Sequence, residues 1–146
     1  MALVIKNPVE RLFTLDELDD TGEAKVRFRQ ATTKENQVRE RRVFGSQART
    51  LTDAGLRVES TVPWSVRQEI EVRLTICGVE SIVDENGEPL FRFNVDKLAM
   101  SDQIFHDVWG RLPVHYASVI HGHCLDVNPD WDFRTNPNSV PENSAE

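Results

Sequence analysis

Residues 101–131, SDQIFHDVWGRLPVHYASVIHGHCLDVNPDW, constrain this chain more than any other stretch, because they hold its longest periodic segment. Ile104, Phe105, Val108, Trp109 and Leu112 recur at the i, i+1, i+4, i+5, i+8 spacing of one helical face. Pro113 lacks an amide hydrogen and crowds the turn before it, so a first helix ends or bends there, and proline also suits the first turn of a second helix. A second apolar stripe follows in Tyr116, Val119, Ile120, Cys124 and Val127, and Asn128-Pro129 stops it. The segment reads as a helical pair or one kinked helix, closed by Trp131. It has the shape of a docking platform and is not, by itself, a chemical site.

Upstream, residues 24–30 alternate, with Val26 and Phe28 toward a core and Lys25, Arg27 and Arg29 outward, as in a half-buried strand. Thr32 and Glu35 have capping-box spacing, so a helix starts there and runs to Gly45 or slightly beyond. Its apolar residues are only Val38, Val43 and Phe44, while Arg39 and Arg42 share a face. Residues 56–60 read as a short strand. In 70–76, Ile70, Val72, Leu74 and Ile76 alternate with charged residues and threonine. A helix over 65–74 is the rival reading, since Glu and Arg are good helix formers. Strict alternation and β-branched content favour a strand. Residues 82–83 and 90–93 flank Asp84-Glu85-Asn86-Gly87 and read as a hairpin, Asn-Gly being the preferred pair of a type I′ turn. Pro89 places that strand at an edge. At the N-terminus, 2–5 is β-prone, 9–15 is apolar but aperiodic, and 16–23 (DELDDTGE) is an acidic, exposed loop.

These pieces predict one α+β domain over 1–132: a small antiparallel sheet with one helix between early strands, and a C-terminal helical pair. Residues 1–23 form an N-terminal extension, 101–131 the helical segment, and 133–146, with little to bury, a disordered tail. A chain of 146 residues buries enough surface to need no metal or disulfide staple. Of its net charge of -7, residues 1–60 hold +1 and residues 61–146 hold -8. The acidic half argues against nucleic acid as a partner. Cys77 and Cys124 are no disulfide framework and point to a reducing compartment. The run 2–5 is too short for a signal-peptide core, and nothing approaches the ~20 apolar residues of a membrane span. The expectation is a cytoplasmic protein with no membrane partner.

Candidate chemistry is sparse. His115, His121, His123 and Cys124 are metal-capable, but on a helix His121 and His123 point to nearly opposite sides, and no C-x-x-C accompanies them. No metal or cofactor is expected. Residues 84–88 resemble half a calcium loop without its closing bidentate Glu, and read better as turn chemistry. There is no G-x-S-x-G, Walker A, G-x-G-x-x-G or H-E-x-x-H motif, so nothing supports an enzyme. Lys25, Arg27, Arg29, Arg39 and Arg42 form either a basic patch or a solvated face paired with Glu35 and Glu40. The aromatic residues Phe105, Trp109, Tyr116 and Trp131 are either core or part of a groove for a partner's segment.

Three stretches together resemble a family. Val26-Arg27-Phe28-Arg29-Gln30-Ala31-Thr32 with Glu35-Asn36 resembles the opening of tail assembly chaperones of long-tailed bacteriophages. Asp84 to Pro89, then Leu90-Phe91, is similar to their acidic turn before a Leu-Phe pair. Phe105, Trp109 and Leu112-Pro113, then Asn128-Pro129-Asp130-Trp131, resemble their F-x-x-x-W-x-x-L-P and N-P-x-W signature. The resemblance covers most of 25–131. It does not reach 1–23 or account for the His/Cys cluster. It implies a non-enzymatic assembly factor of the host cytoplasm. Such a factor binds the tape-measure protein, a long helical ruler with exposed apolar surface, and helps recruit tail-tube subunits; a homo-oligomer is compatible. The expected partner surface or its support is Phe105, Trp109, Leu112, Tyr116 and Trp131, with Arg27, Arg29, Arg39 and Arg42 as a polar patch. The alternative is a permanent virion protein, a head–tail connector or tail-completion protein.

Overall fold

The computed structural model describes residues 2–44, 49–52, 55–58, 62–95 and 97–132. Strand β1 (Glu10–Thr14) and strand β2 (Lys25–Arg29) are antiparallel, with Leu12 opposite Arg27. The alternation in β2 works as its pattern predicts. Val26 and Phe28 are wholly buried, while Lys25, Arg27 and Arg29 are half-buried on the opposite face. Residues 9–15 lack that alternation because β1 lies at the rim of the sheet: within the strand only Phe13 is partly covered, and Leu15, just past its end, is buried. Residues 10–14, within the stretch expected as an extension, thus belong to the main sheet.

Helix α1 (Thr33–Val43) starts at the reciprocal capping box of Thr32 and Glu35. Its predicted end at Gly45 lies outside the described residues. Strands β3 (Arg49–Thr52) and β4 (Gly55–Val58) pair antiparallel; residues 59 and 60 of the strand expected over 56–60 also lie outside the described residues.

The strand predicted over 70–76 is instead the C-terminal half of helix α2 (Trp64–Thr75). Arg67, Gln68, Glu71, Val72 and Thr75 are its buried residues, at i, i+1, i+4, i+5, i+8. The period is helical, but the buried stripe is mostly polar, so the apolar residues trace a misleading alternation. Ile76 turns extended and the chain passes directly into strand β5 (Ile76–Glu80), which pairs antiparallel with β2. The register shifts at Arg27/Phe28, leaving Cys77 as an extra residue in a bulge. The main sheet therefore runs β1-β2-β5.

The 82–93 hairpin is reduced to a single bridge between Val83 and Pro89. Its turn is not type I′: Gly87 is left-handed at φ 81°, and Asn86 is not. The Asp84 carboxylate accepts from the amides of Asn86 and Glu88, at 2.8 and 3.0 Å, and this favours the tighter arrangement. Strands β6 (Phe93–Asn94) and β7 (Lys97–Leu98) follow as a short antiparallel pair.

The C-terminal segment is two helices. Ser101 Oγ accepts from the Ile104 amide and opens α3 (Asp102–Gly110), and Pro113 opens α4 (Val114–Val127). One 3₁₀ turn, Pro129–Trp131, closes it. The core lies between the inner face of the sheet and these helices: Val26, Phe28, Val72 and Ile76 meet Phe105, Trp109, Ile120, Leu125 and Trp131. The fold class is α+β, with small antiparallel sheets and helices packed against the main sheet. Among the described residues, no helix is long and apolar enough to cross a membrane. Residues 133–146 lie outside the described residues.

Phe28→Ala is expected to cost ~3–5 kcal/mol of unfolding free energy, because it empties the centre of this core. Thr32→Ala is expected to cost only ~1 kcal/mol through loss of the cap. Urea denaturation of both variants measures the contrast.

Candidate functional site

The predicted aromatic surface divides. Phe105, Trp109 and Trp131 are buried, at 0%, 6% and 4% exposure. Phe105 stacks near-parallel to Trp109, with ring centroids 6.0 Å apart, and meets Phe91 at 5.8 Å. These three residues fill the core. Leu112 is half-buried, whereas Tyr116 is 42% exposed beside Val114, 83% exposed, at the start of α4. What reaches solvent is the apolar turn between α3 and α4.

The four arginines do not form one patch. Arg27 lies on the outer face of the sheet, where Gly78 leaves room for it; a Cβ at Gly78 would sit 3.4 Å from Arg27 Cβ. Arg29 clamps the Glu35 carboxylate with both terminal nitrogens and donates to the Leu74 carbonyl. Glu35 is held below the usual carboxylate range: burial raises it, and the hydrogen bond and charge of Arg29 with the Thr32 amide outweigh that. Arg42 is exposed and pairs with Asp102 at 3.3 Å, as does Arg73 at 2.8 Å. Arg39 is buried at 4% exposure.

Arg39 belongs to the densest electrostatic centre of the chain. The Glu71 carboxylate, wholly buried on α2, accepts from Arg39 Nε at 2.5 Å and Arg67 Nε at 3.1 Å through one oxygen. His121 Nε2 of α4 lies 2.6 Å from the other oxygen. Burial pushes Glu71 up, but the His121 hydrogen bond and the Arg39, His121 and Arg67 charges hold it below its ordinary 4.5. A carboxylate in that state only accepts, so His121 carries its proton on Nε2. Arg67 also donates to the Trp131 carbonyl at 3.0 Å, and the Arg39 guanidinium lies over the Phe44 and Trp131 rings at 5.5 and 5.0 Å. The centre ties α1, α2, α4 and the 3₁₀ turn together. Glu71, fully covered and saturated with donors, presents nothing to a ligand.

A second junction lies beside it. Asn128 Oδ1 accepts from the Ala31 amide at 2.8 Å, and its Nδ2 donates to the carbonyls of Arg29 and Cys124. Asn128 thereby extends β2 as a neighbouring strand would. Trp131 Nε1 donates to Asn36 Oδ1 at 2.9 Å. The V-R-F-R-Q-A-T, E-N and N-P-x-W stretches, a hundred residues apart in sequence, thus meet.

The His/Cys cluster separates. His121 faces Glu71. His123 stacks on Phe13 at 4.5 Å, with Glu17 and Asp126 at 3.5 and 3.6 Å from its ring nitrogens. His115 is exposed. Among the described residues, no group of three His, Cys, Asp or Glu side chains is placed to hold a metal ion. Burial and the neighbouring Glu10 carboxylate push the Cys77 thiol up to about 12, and burial pushes Cys124 higher still, so neither is a ready nucleophile. The strand reading of 70–76 hid the Glu71 centre by pointing Glu71 to solvent. The signal that finds it is Arg67 and Glu71 at i, i+4 after Pro63, a helix opening with a built-in ion pair.

No protein-family model matches the chain, and neither a curated protein nor a solved structure matches it.

Glu71→Gln leaves two buried guanidinium groups short of their counter-charge and is expected to cost ~3–5 kcal/mol of stability. In the parent protein the Glu71 contribution is complete above its unfolded-state value near 4.5 and is lost as pH falls toward the lower folded-state value. Urea denaturation of parent and variant between pH 7 and strong acid should show their difference shrinking only below about pH 4.5.

Proposed function

We propose that this chain is a non-enzymatic tail assembly chaperone of a long-tailed bacteriophage, acting in the host cytoplasm. It binds the tape-measure protein and helps recruit tail-tube subunits. The observation that carries this reading is that the resembling stretches act as one unit. Asn128 bonds Arg29 and Ala31, Trp131 bonds Asn36, and Phe91 packs on Phe105. In this reading most signature residues build the fold, and recognition falls to the apolar turn of Leu112, Val114 and Tyr116, which offers a helix-rich, apolar partner a small docking surface. A small contact dissociates readily, as a chaperone displaced by tube subunits requires.

Mass spectrometry of purified particles beside the infected-cell lysate tests the reading. The chain should be abundant in lysate and missing from particles. A fixed copy number in particles makes it a permanent connector or tail-completion protein instead. On co-expression with the tape-measure protein, a Val114→Ser/Tyr116→Ala double variant should recover about tenfold less of it, a loss of ~1.4 kcal/mol, while the thermal melt stays within a few degrees of the parent.

A further inference from the structure

Strand β1 is the uncovered edge of the main sheet. β5, at the other edge, lies beside β7 without pairing to it, while β1 is paired on one side only and open on the other among the described residues. Its ladder fixes which backbone groups are free. Val9 C=O accepts from Gln30 N–H, and Leu15 N–H donates to Ala24 C=O, both at 2.9 Å. In an antiparallel ladder alternate residues face the partner, so 9, 11, 13 and 15 face β2. Glu10, Leu12 and Thr14 therefore turn their N–H and C=O groups to the open side. Leu12, 47% exposed, is the large apolar side chain at the middle of that edge.

We propose that a second copy of this chain occupies the edge, by antiparallel pairing of β1 with β1 about a two-fold axis at Leu12. The product is one six-stranded sheet. The free groups allow only pairings of even-numbered residues with each other. The register centred on Leu12 overlaps all five residues and sets Leu12 against Leu12, Glu10 against Thr14 and Arg11 against Phe13. It repeats between copies the contact that Arg11 already makes with its own Phe13, at 4.8 Å. The neighbouring register on one side sets Arg11 against Arg11, and like charges directly opposite are unfavourable; the one on the other side sets Phe13 against Phe13; each overlaps only three of the five strand residues.

Charge beyond the strand favours the same arrangement. The antiparallel pairing brings the 16–23 turn of one copy, with Asp16, Glu17, Asp19, Asp20 and Glu23, toward residues 2–9 of the other. That stretch carries Lys6 and no acidic residue. It also carries Leu3, Val4 and Ile5, an apolar run that is 70–87% exposed. A strand edge left open beside such a run is a site where chains pair.

The proposal stands independently of the chaperone reading. Light scattering of the full chain across ~1–300 µM should show the mass rising from 16.7 kDa to twice that value. Leu12→Lys sets two like charges at the axis and should raise the dissociation constant about tenfold or more, whereas Lys34→Glu on α1 should leave it unchanged. Amide exchange at Glu10, Leu12 and Thr14 should slow as concentration rises. Leu12→Cys should yield a covalent dimer with a short bis-maleimide, since Cys77 and Cys124 are buried. This readout holds even where the lysine variant folds poorly. A parent chain that stays at 16.7 kDa throughout overturns the proposal. So does a dimer that neither weakens with Leu12→Lys nor cross-links through Leu12→Cys. So does slowing of the β1 amides only on addition of a different protein.

Discussion

A carboxylate at the centre of a 146-residue protein is a demand on everything around it. Moving Glu71 out of water costs several kcal/mol, and only complete hydrogen bonding and counter-charge offset that. Its donors come from α1 (Arg39), its own helix (Arg67) and α4 (His121), so none of the three helices can dock without the other two. The 3₁₀ turn is drawn in as well, because Arg67 uses its remaining reach on the Trp131 carbonyl and Arg39 stacks on the Trp131 ring. Such a centre adds less net stability than apolar packing of the same volume would. Its contribution here is to admit one arrangement of α1, α2 and α4, since any slipped packing strands a buried charge.

The sheet is positioned from the same place. Thr75, one turn after Glu71, donates to the Glu71 carbonyl and lies 3.3 Å from Cys124, fixing the end of α2 against α4. The very next residue begins β5. The helix that carries the charge centre therefore aims the strand that pairs with β2, and the bulge at Cys77 takes up the mismatch between them. On the far side, Asn128 fastens the end of β2 through two backbone bonds. Sheet and helices are locked by polar contacts at both ends and by apolar packing between them.

This explains which parts of the fold were legible in the sequence. Where an element buries apolar residues, its period shows: β2 through Val26 and Phe28, α3 through Phe105, Val108 and Trp109. Where local chemistry marks an end, it also shows, as at Thr32/Glu35 and Pro113. α2 was misread because Arg67, Gln68, Glu71 and Thr75 occupy the positions where apolar residues normally report a helix. β1 was invisible for the opposite reason, since an edge strand with little to bury has no pattern to display. Glu35 was legible as a partner for the arginines, and Arg29 takes it, but Glu71 and Asp102 were not. Arg29, Arg39 and Arg42 each find a different carboxylate, and which one is decided by packing that sequence spacing does not encode.

The same division bears on recognition. Several residues that look suited to binding are here spent on the interior: Trp109 and Trp131 in the core, Arg39 and Arg67 on Glu71. Among the described residues, exposed apolar side chains gather at the α3–α4 turn and the rim around β1, with Trp64, 43% exposed, at the start of α2. Tight binding draws on buried aromatic and arginine anchors, so each feature alone favours weak and reversible contact. Weak sites gain strength when several are held together. Under the proposed β1 pairing, two α3–α4 turns would belong to one assembly, and a partner that reached both would gain from their linkage. The second contact is then intramolecular, and affinity rises without any new chemistry at either site. Dissociation of the pair, or displacement of one contact, would return the complex to its weak form.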